Sequence, residues 1–229
     1  MLVLGVETST MQGGAALVGD GGLCSEYTLN VEATHSERLL PAIDRMLRDA
    51  GVGLGELSGI AVSIGPGSFT GLRIGLSTAK GLAYSTGLPV VGVPTLEALA
   101  WVLPFGRGQV CPVLDARKQE VYAALFRHER GALVRVMEDT ALTPEALCAK
   151  IRRPTLFLGD ALAVHLELFR RLLGDRLIVP PPPHRGPRPA CVAELGRARL
   201  LRGERDPVEM LVPRYLRPSE AEVRRKRIV

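Results

Sequence analysis

The strongest constraint in this sequence is the run Gly65-Pro66-Gly67-Ser68-Phe69-Thr70-Gly71, set between an apolar stretch at residues 60–64 and a longer segment carrying Gly71, Gly75 and Ala79 at four-residue spacing. An apolar strand that meets Gly-Pro-Gly must bend there, because glycine takes backbone angles closed to other residues and proline fixes its own φ. A helix then starts at a good cap, with Ser68 or Thr70 able to accept a hydrogen bond from a free first-turn N–H. Gly71, Gly75 and Ala79 share one helix face, so another backbone can approach closely. Glycines 71, 75 and 81 inside one helix cost about 1 kcal/mol each relative to alanine, and close packing is the expected compensation. A nucleotide P-loop is not expected, since it needs lysine and Ser/Thr after its last glycine and here Leu72-Arg73 follow.

A chain of 229 residues with 46% hydrophobic and 23% charged residues can bury a real core as one large domain or two smaller ones. Residues 2–6 are apolar but run straight into Glu7, so no signal peptide is expected, and prolines interrupt the apolar stretch 88–105. A cytoplasmic location is expected. The four cysteines are scattered without a C-x-x-C pair and read as reduced, mostly buried thiols. The net charge of +5 equals the excess in residues 197–229, which hold ten basic residues and five acids. Such an end suits RNA phosphates or an acidic partner, or is simply a solvated arginine-rich segment; only Tyr215 is interleaved, so a base-stacking platform is absent.

Along the chain, three short strands punctuated by glycine turns (residues 2–29) precede a helix over 36–50. Strand 60–64, the glycine helix, strand 90–93 and a helix from 95 to about 103 follow. The pattern then restarts: strands at 110–114, 120–126 and 133–137, a helix opening at Thr143-Pro144, strand 155–158, helix 161–173, strand 177–179 and helix 189–202. Each half reads βββαβαβα. Glu7 and Asp115 end the two first strands 108 positions apart, and Ala15-Ala16-Leu17 matches Ala123-Ala124-Leu125 at the same offset, which points to an internal duplication. The expected organisation is an N-terminal lobe at 1–105, a C-terminal lobe at 106–203 and a basic segment at 204–229 that packs back on the first lobe.

Two such units, each with an acid at the end of its first strand, describe an α/β chain of the actin-like ATPase (ribonuclease H-like, ASKHA) class. The hairpins at Glu7-Thr8-Ser9 and Asp115-Ala116-Arg117 would then stand where nucleotide phosphates are gripped between lobes. The Gly65–Gly71 block, Ala79-Lys80-Gly81-Leu82-Ala83, His35-Ser36-Glu37-Arg38-Leu39-Leu40-Pro41, Asp115-Ala116-Arg117 with Glu120-Val121-Tyr122, and Pro213-Arg214-Tyr215-Leu216-Arg217 together resemble the bacterial TsaB (YeaZ) family over essentially the full length. The resemblance implies a role in threonylcarbamoyladenosine synthesis on tRNA, as a non-catalytic partner of a TsaD-like catalytic subunit, joined by a TsaE-like ATPase. A homodimer and tRNA contact through the complex are further implied partners.

The residues themselves describe a poor enzyme. Histidines 35, 128, 165 and 184 lie far apart in sequence, so no metal-holding pair is expected. Leu158-Gly159-Asp160-Ala161-Leu162 retains one glycine where an adenosine-binding turn has two. No cofactor is expected, with ATP or ADP held weakly at most or at a subunit boundary. Anion contacts, if made, fall to Glu7, Thr8, Ser9, Ser68, Thr70 and Asp115. The apolar positions of helix 36–50 spread wider than one core-facing stripe. They are either buried between sheet and neighbouring lobe or offered to a partner in a four-helix contact. The partner reading assigns Arg38, Leu39, Ile43, Met46, Gly71, Leu72, Gly75 and Ala79 to that face. The competing functions are a stand-alone actin-like ATPase or kinase, or a metallopeptidase-like enzyme.

Overall fold

The computed structural model describes residues 1–30, 35–103, 108–129 and 132–217. Its first half runs β1 (Val3–Glu7), β2 (Gly13–Gly19), β3 (Gly22–Leu29), α1 (His35–Ala50), β4 (Gly59–Gly65), α2 (Phe69–Thr86), β5 (Val90–Pro94) and α3 (Thr95–Ala100). The second repeats the order with β6 (Gln109–Asp115), β7 (Val121–Glu129), β8 (Ala132–Leu142), α4 (Pro144–Cys148), β9 (Thr155–Leu158), α5 (Ala161–Leu173), β10 (Leu177–Ile178) and α6 (Pro189–Leu201). Two five-stranded sheets result, ordered β3-β2-β1-β4-β5 and β10-β9-β6-β7-β8, so the second reproduces the first strand for strand. In both, the first strand lies at the centre, antiparallel to the second and parallel to the fourth.

The central strands carry no alternation because both faces of each sheet are covered, and β1 is buried throughout. Leu39, Ile43, Met46 and Leu47 of α1 and Leu76, Ala79 and Ala83 of α2 pack with Leu4, Val6, Ile60 and Val62 of the first sheet. Val192 and Leu200 of α6 lie with Val3, Ala61 and Val91, in a separate core cluster. The second sheet has Leu147 of α4 and Leu162 and Phe169 of α5 packed with Val113, Ala123 and Phe157. Leu96, Leu99 and Ala100 of α3 pack with Val110, Leu114, Ala124 and Phe126. The helix that closes the second half, α6, therefore lies on the first half's sheet, while α3 sits between the two sheets, with Ala98 packed among Val3, Ala61 and Val91. The junction at 105/106 lies outside the described residues, as does the chain beyond 217.

Small residues permit this packing. A Cβ on Gly5 of β1 would come within 2.5 Å of the Pro189 carbonyl oxygen, and one on Gly196 of α6 within 2.2 Å of the Ala61 methyl. The sequence pattern places α3 as far as about residue 103, whereas the helix ends at Ala100. β8 is longer than the expected 133–137 because it pairs along β7 from Glu129↔Ala132 to Val121↔Leu142, and pairing extends a strand beyond its own apolar run.

After α6 the chain runs back along the outer edge of β5. The Asp206 N–H donates to the Val90 carbonyl at 2.9 Å, and the Gly92 N–H donates to the Asp206 carboxylate at 2.7 Å. Arg199 Nη1 reaches the Gly92 carbonyl at 2.6 Å. Leu211 joins the first core, and the Arg214 N–H donates to the Ile64 carbonyl at 2.6 Å. The segment then crosses to the second sheet, where the Arg214 guanidinium stands 3.2 Å from the buried Asp139 carboxylate and Arg217 pairs with Glu120.

Candidate functional site

The glycine-rich run forms the bend expected of it. Gly65 (φ 111°) and Gly67 (φ 159°) flank a cis Gly65–Pro66 peptide, and Ser68 caps α2 by accepting the Gly71 N–H at 3.2 Å. Thr70 lies inside the helix, exposed, and is not the cap. What the bend grips is the turn after β1. The Ser68 N–H donates to the Ser9 carbonyl at 2.6 Å, and the Thr8 hydroxyl donates to the Gly71 carbonyl at 2.8 Å. A Cβ on Gly67 would lie 2.4 Å from the Ser9 carbonyl oxygen, one on Gly71 2.0 Å from the Thr8 carbonyl oxygen, and one on Gly75 2.2 Å from the Thr8 hydroxyl. The side-chain-free stripe thus receives the chain's own first hairpin, which corrects the assignment of Gly71 and Gly75 to a partner.

The same packing seals the first acid. Glu7 is fully buried, and one carboxylate oxygen accepts the Ser9 N–H at 2.6 Å and the Ser63 hydroxyl at 3.1 Å. The other oxygen has no hydrogen-bond partner, and neither has the Ser9 hydroxyl. Burial pushes the Glu7 carboxyl above its ordinary range despite these bonds. With Thr8 and Ser9 buried as well, these three residues cannot meet an anion arriving from solvent, which overturns that expectation. Of the same set, Ser68 and Thr70 remain exposed at the α2 terminus.

In the second sheet Asp115 is half-buried and engaged. Its carboxylate accepts the Arg117 N–H at 2.8 Å, and its own N–H donates to Asp160 at 2.9 Å. Burial raises the carboxyl of Asp160, which stands at the N-terminus of α5. Gly159 (φ 124°) lies against the Val113 carbonyl, so the lone glycine of that turn is taken up by strand packing. Among the described residues no group of three His, Cys, Asp or Glu side chains could hold a metal ion.

The partner face also shifts. Leu39, Ile43, Met46, Leu72 and Ala79 are at most 3% exposed and belong to the core, which corrects their assignment as an outward partner face. Arg38 is half-buried and donates to the Met11 carbonyl at 2.8 Å. What α1 and α2 turn outward is the next rotation of each helix. Leu40 is 53% exposed, and a groove of about 470 Å³ runs between the helices, lined by Leu39, Leu40, Phe69, Arg73, Ile74 and Thr78 among others. At one end the Arg73 guanidinium sits 3.9 Å above the Phe69 ring, which stacks on Tyr215 at 4.9 Å. Arg73 Nε also donates to the Tyr215 hydroxyl at 3.0 Å. Heptad-like spacing could flag α1 as two-faced, but which apolar residue faces outward depends on how the helix is set on its sheet.

The family model described as TsaD: tRNA N6-adenosine threonylcarbamoyltransferase matches residues 26–225. The tRNA threonylcarbamoyladenosine biosynthesis protein TsaB of Bacillus subtilis is 34% identical over 227 residues, covering 98% of this chain and 97% of that one. YeaZ from Pseudomonas aeruginosa superposes with a TM-score of 0.76 at 27% identity, covering 94% of this chain and 99% of that one. The (R)-2-hydroxyglutaryl-CoA dehydratase component A of Acidaminococcus fermentans, at a TM-score of 0.51 and 9% identity over 88% of this chain and 99% of that one, shares the fold alone. The architecture is that of the actin-like ATPases, with two lobes.

Proposed function

The chain belongs to the TsaB family of tRNA threonylcarbamoyladenosine biosynthesis proteins, and on that footing we propose that it serves in this pathway as a non-catalytic subunit that binds and activates a TsaD-like catalytic subunit. The observation that carries the proposal is the groove between α1 and α2, where exposed Leu40 and half-buried Ile74 line a cleft over a well-packed core. An exposed apolar strip on two rigid helices suits docking of a partner's helices, with Phe69 and Arg73 as an aromatic and cationic rim. The same strip would serve a homodimer when the partner is absent, because one patch can be used isologously or by a related subunit.

The sealed turn at Glu7-Thr8-Ser9 supports the non-catalytic part of the reading. A phosphate-gripping hairpin must open its backbone and acid to the ligand, whereas this one is closed by Ser68 and Gly71. That observation also weighs against a stand-alone ATPase or kinase. The proposal assigns the chain no cofactor of its own, places any ATP or ADP at the boundary with the partner, and includes a TsaE-like ATPase and tRNA as members of the assembly. No helix among the described residues is long and apolar enough to cross a membrane, and we take the assembly to work in the cytoplasm. Co-purification of the tagged chain with its host's TsaD-like protein tests the reading. Retention by the wild type and loss by Leu40→Glu and Ile74→Glu, each still folded, are expected; retention by both variants would overturn it.

A further inference from the structure

Arg73 is exposed at one end of the α1–α2 groove, and among the described residues lining that groove it alone carries a charge. An exposed arginine on a helix finds its ion-pair partner three or four residues away. Here those positions hold Phe69, Thr70, Leu76 and Ser77, none of them acidic. No carboxylate among the described residues pairs with Arg73. Its direction is set by aromatic residues instead. The guanidinium lies 3.9 Å above the Phe69 ring, Nε donates to the Tyr215 hydroxyl at 3.0 Å, and the Tyr215 ring stacks on Phe69 at 4.9 Å.

Tyr215 is held in its turn by the residues beside it. The Arg214 N–H is bonded to the Ile64 carbonyl of the first sheet, and the Arg214 guanidinium is 3.2 Å from Asp139 of the second. Two residues beyond the tyrosine, Arg217 pairs with Glu120. The returning chain is thus anchored on both sides of the ring that orients Arg73. The rotamer freedom of this arginine is lost on folding rather than on binding, which favours any ligand that meets it.

A guanidinium carries five N–H donors in a fixed fork. The bond to Tyr215 uses Nε and leaves the Nη1–Nη2 edge, which matches a carboxylate or a phosphate through two parallel bonds. The rest of the groove decides between these anions. Leu40 and Ile74 give it apolar surface, and no second cation joins Arg73 to share the charge of a phosphate. An apolar cleft ending in one oriented cation fits an amphipathic helix whose docked face is apolar and ends in an acid. A single charge at one end also fixes the direction in which such a helix lies.

We infer that Arg73 is the specificity-determining residue of this groove, receiving a carboxylate from an amphipathic helix of the partner subunit, with Tyr215 as its positioning residue. This rests on the proposed docking of a TsaD-like subunit and adds to it the charge and the orientation of the helix that docks.

The test measures the affinity of the full chain for its host's TsaD-like protein, both freed of RNA by nuclease, from low to high salt. Arg73→Gln keeps length and polarity and removes the charge. It should weaken binding about thirtyfold at low salt, as expected for one partner of an enclosed ion pair, and flatten the salt dependence. Arg73→Lys should keep the salt dependence and lose part of the affinity, because the point charge lacks the fork. Tyr215→Phe keeps the stack and removes the hydroxyl, so it should weaken binding by less than Arg73→Gln with the salt dependence retained. Thermal midpoints of the three variants should match the wild type. Unchanged affinity and salt dependence in Arg73→Gln, with binding abolished in Leu40→Glu, would overturn the inference and leave the docking reading standing. Unchanged partner affinity with weaker binding of an unmodified tRNA transcript would make Arg73 a phosphate contact and equally overturn it. Retention of the partner by both Leu40→Glu and Ile74→Glu would instead bring down the proposed function, and this inference with it.

Discussion

The Thr8 hydroxyl donates to the Gly71 carbonyl at 2.8 Å, while the Gly71 Cα faces the Thr8 carbonyl so closely that a Cβ there would sit 2.0 Å from its oxygen. Helix α2 and the turn after β1 are thus in close contact, with only the Thr8 side chain between them. Gly81, in the same helix, has nothing within 4 Å of such a Cβ. The two glycines should respond oppositely to the same substitution. Gly71→Ala is expected to destabilise by about 3 kcal/mol, since the obstructing atom is backbone and cannot swing aside. Gly81→Ala should stabilise by about 1 kcal/mol through helix propensity. Urea denaturation of the two variants checks both signs.

Leu40 and Ile43 lie less than one turn apart on α1, yet one is 53% exposed and the other 3%. Ile43→Glu should cost about 4 kcal/mol or more, because it buries an unpaired charge in the core beneath the first sheet. Leu40→Glu should leave stability within about 0.5 kcal/mol and abolish co-purification with the partner. Thermal melts alongside the co-purification distinguish a lost interface from a lost fold.

Glu7 gives the stability of the protein a pH dependence of definite sign. Its carboxyl is raised in the folded state by burial, so between the ordinary value of 4.5 and the raised one the folded protein holds more proton than the unfolded chain. Stability contributed by this site is therefore present below pH 4.5 and falls as pH rises through the folded value. Glu7→Gln keeps an acceptor for the Ser9 N–H and the Ser63 hydroxyl and removes the charge. Relative to wild type it should gain stability steadily across that window and stay level above it. Melting both proteins from pH 4.5 to pH 8 would show this; a constant difference would contradict it.

Asp206 closes the outer edge of β5, accepting the Gly92 N–H and pairing with Arg199, which itself donates to the Gly92 carbonyl. Removing the carboxylate leaves a backbone donor unpaired and a strand edge open. Asp206→Ala is expected to lose about 1–3 kcal/mol and to increase self-association on heating. Denaturation and light scattering report the two effects separately.

Much of this molecule was legible before any coordinates. β9 and α5 fall on the spans that hydrophobic period assigned, and the Gly-Pro-Gly bend and the Thr143 cap are present at their expected residues. The repeat of strand order in the two sheets follows the 108-residue offset between Glu7 and Asp115. The segments around residues 38–46 and 68–79 flank the surface groove, but most of the residues that the sequence assigns to a partner there are buried. Glu7, Thr8 and Ser9 looked like a phosphate hairpin because the pattern of strand, acid and hydroxyls is the same whether the turn is open or sealed.

The sequence by itself determined the order, type and approximate ends of the elements, because hydrophobic period, caps and glycine bends act over a few residues and leave their record locally. Only the tertiary structure decided that α6 lies on the first half's sheet and α3 between the two sheets, that Gly71 is pressed against Thr8 while Gly81 has open space, and that Leu40 is exposed while Leu39 is buried. Those outcomes depend on which surface a distant strand or helix brings to each residue. A side chain's apolar character is written in the chain, whereas its burial is a property of what is packed above it.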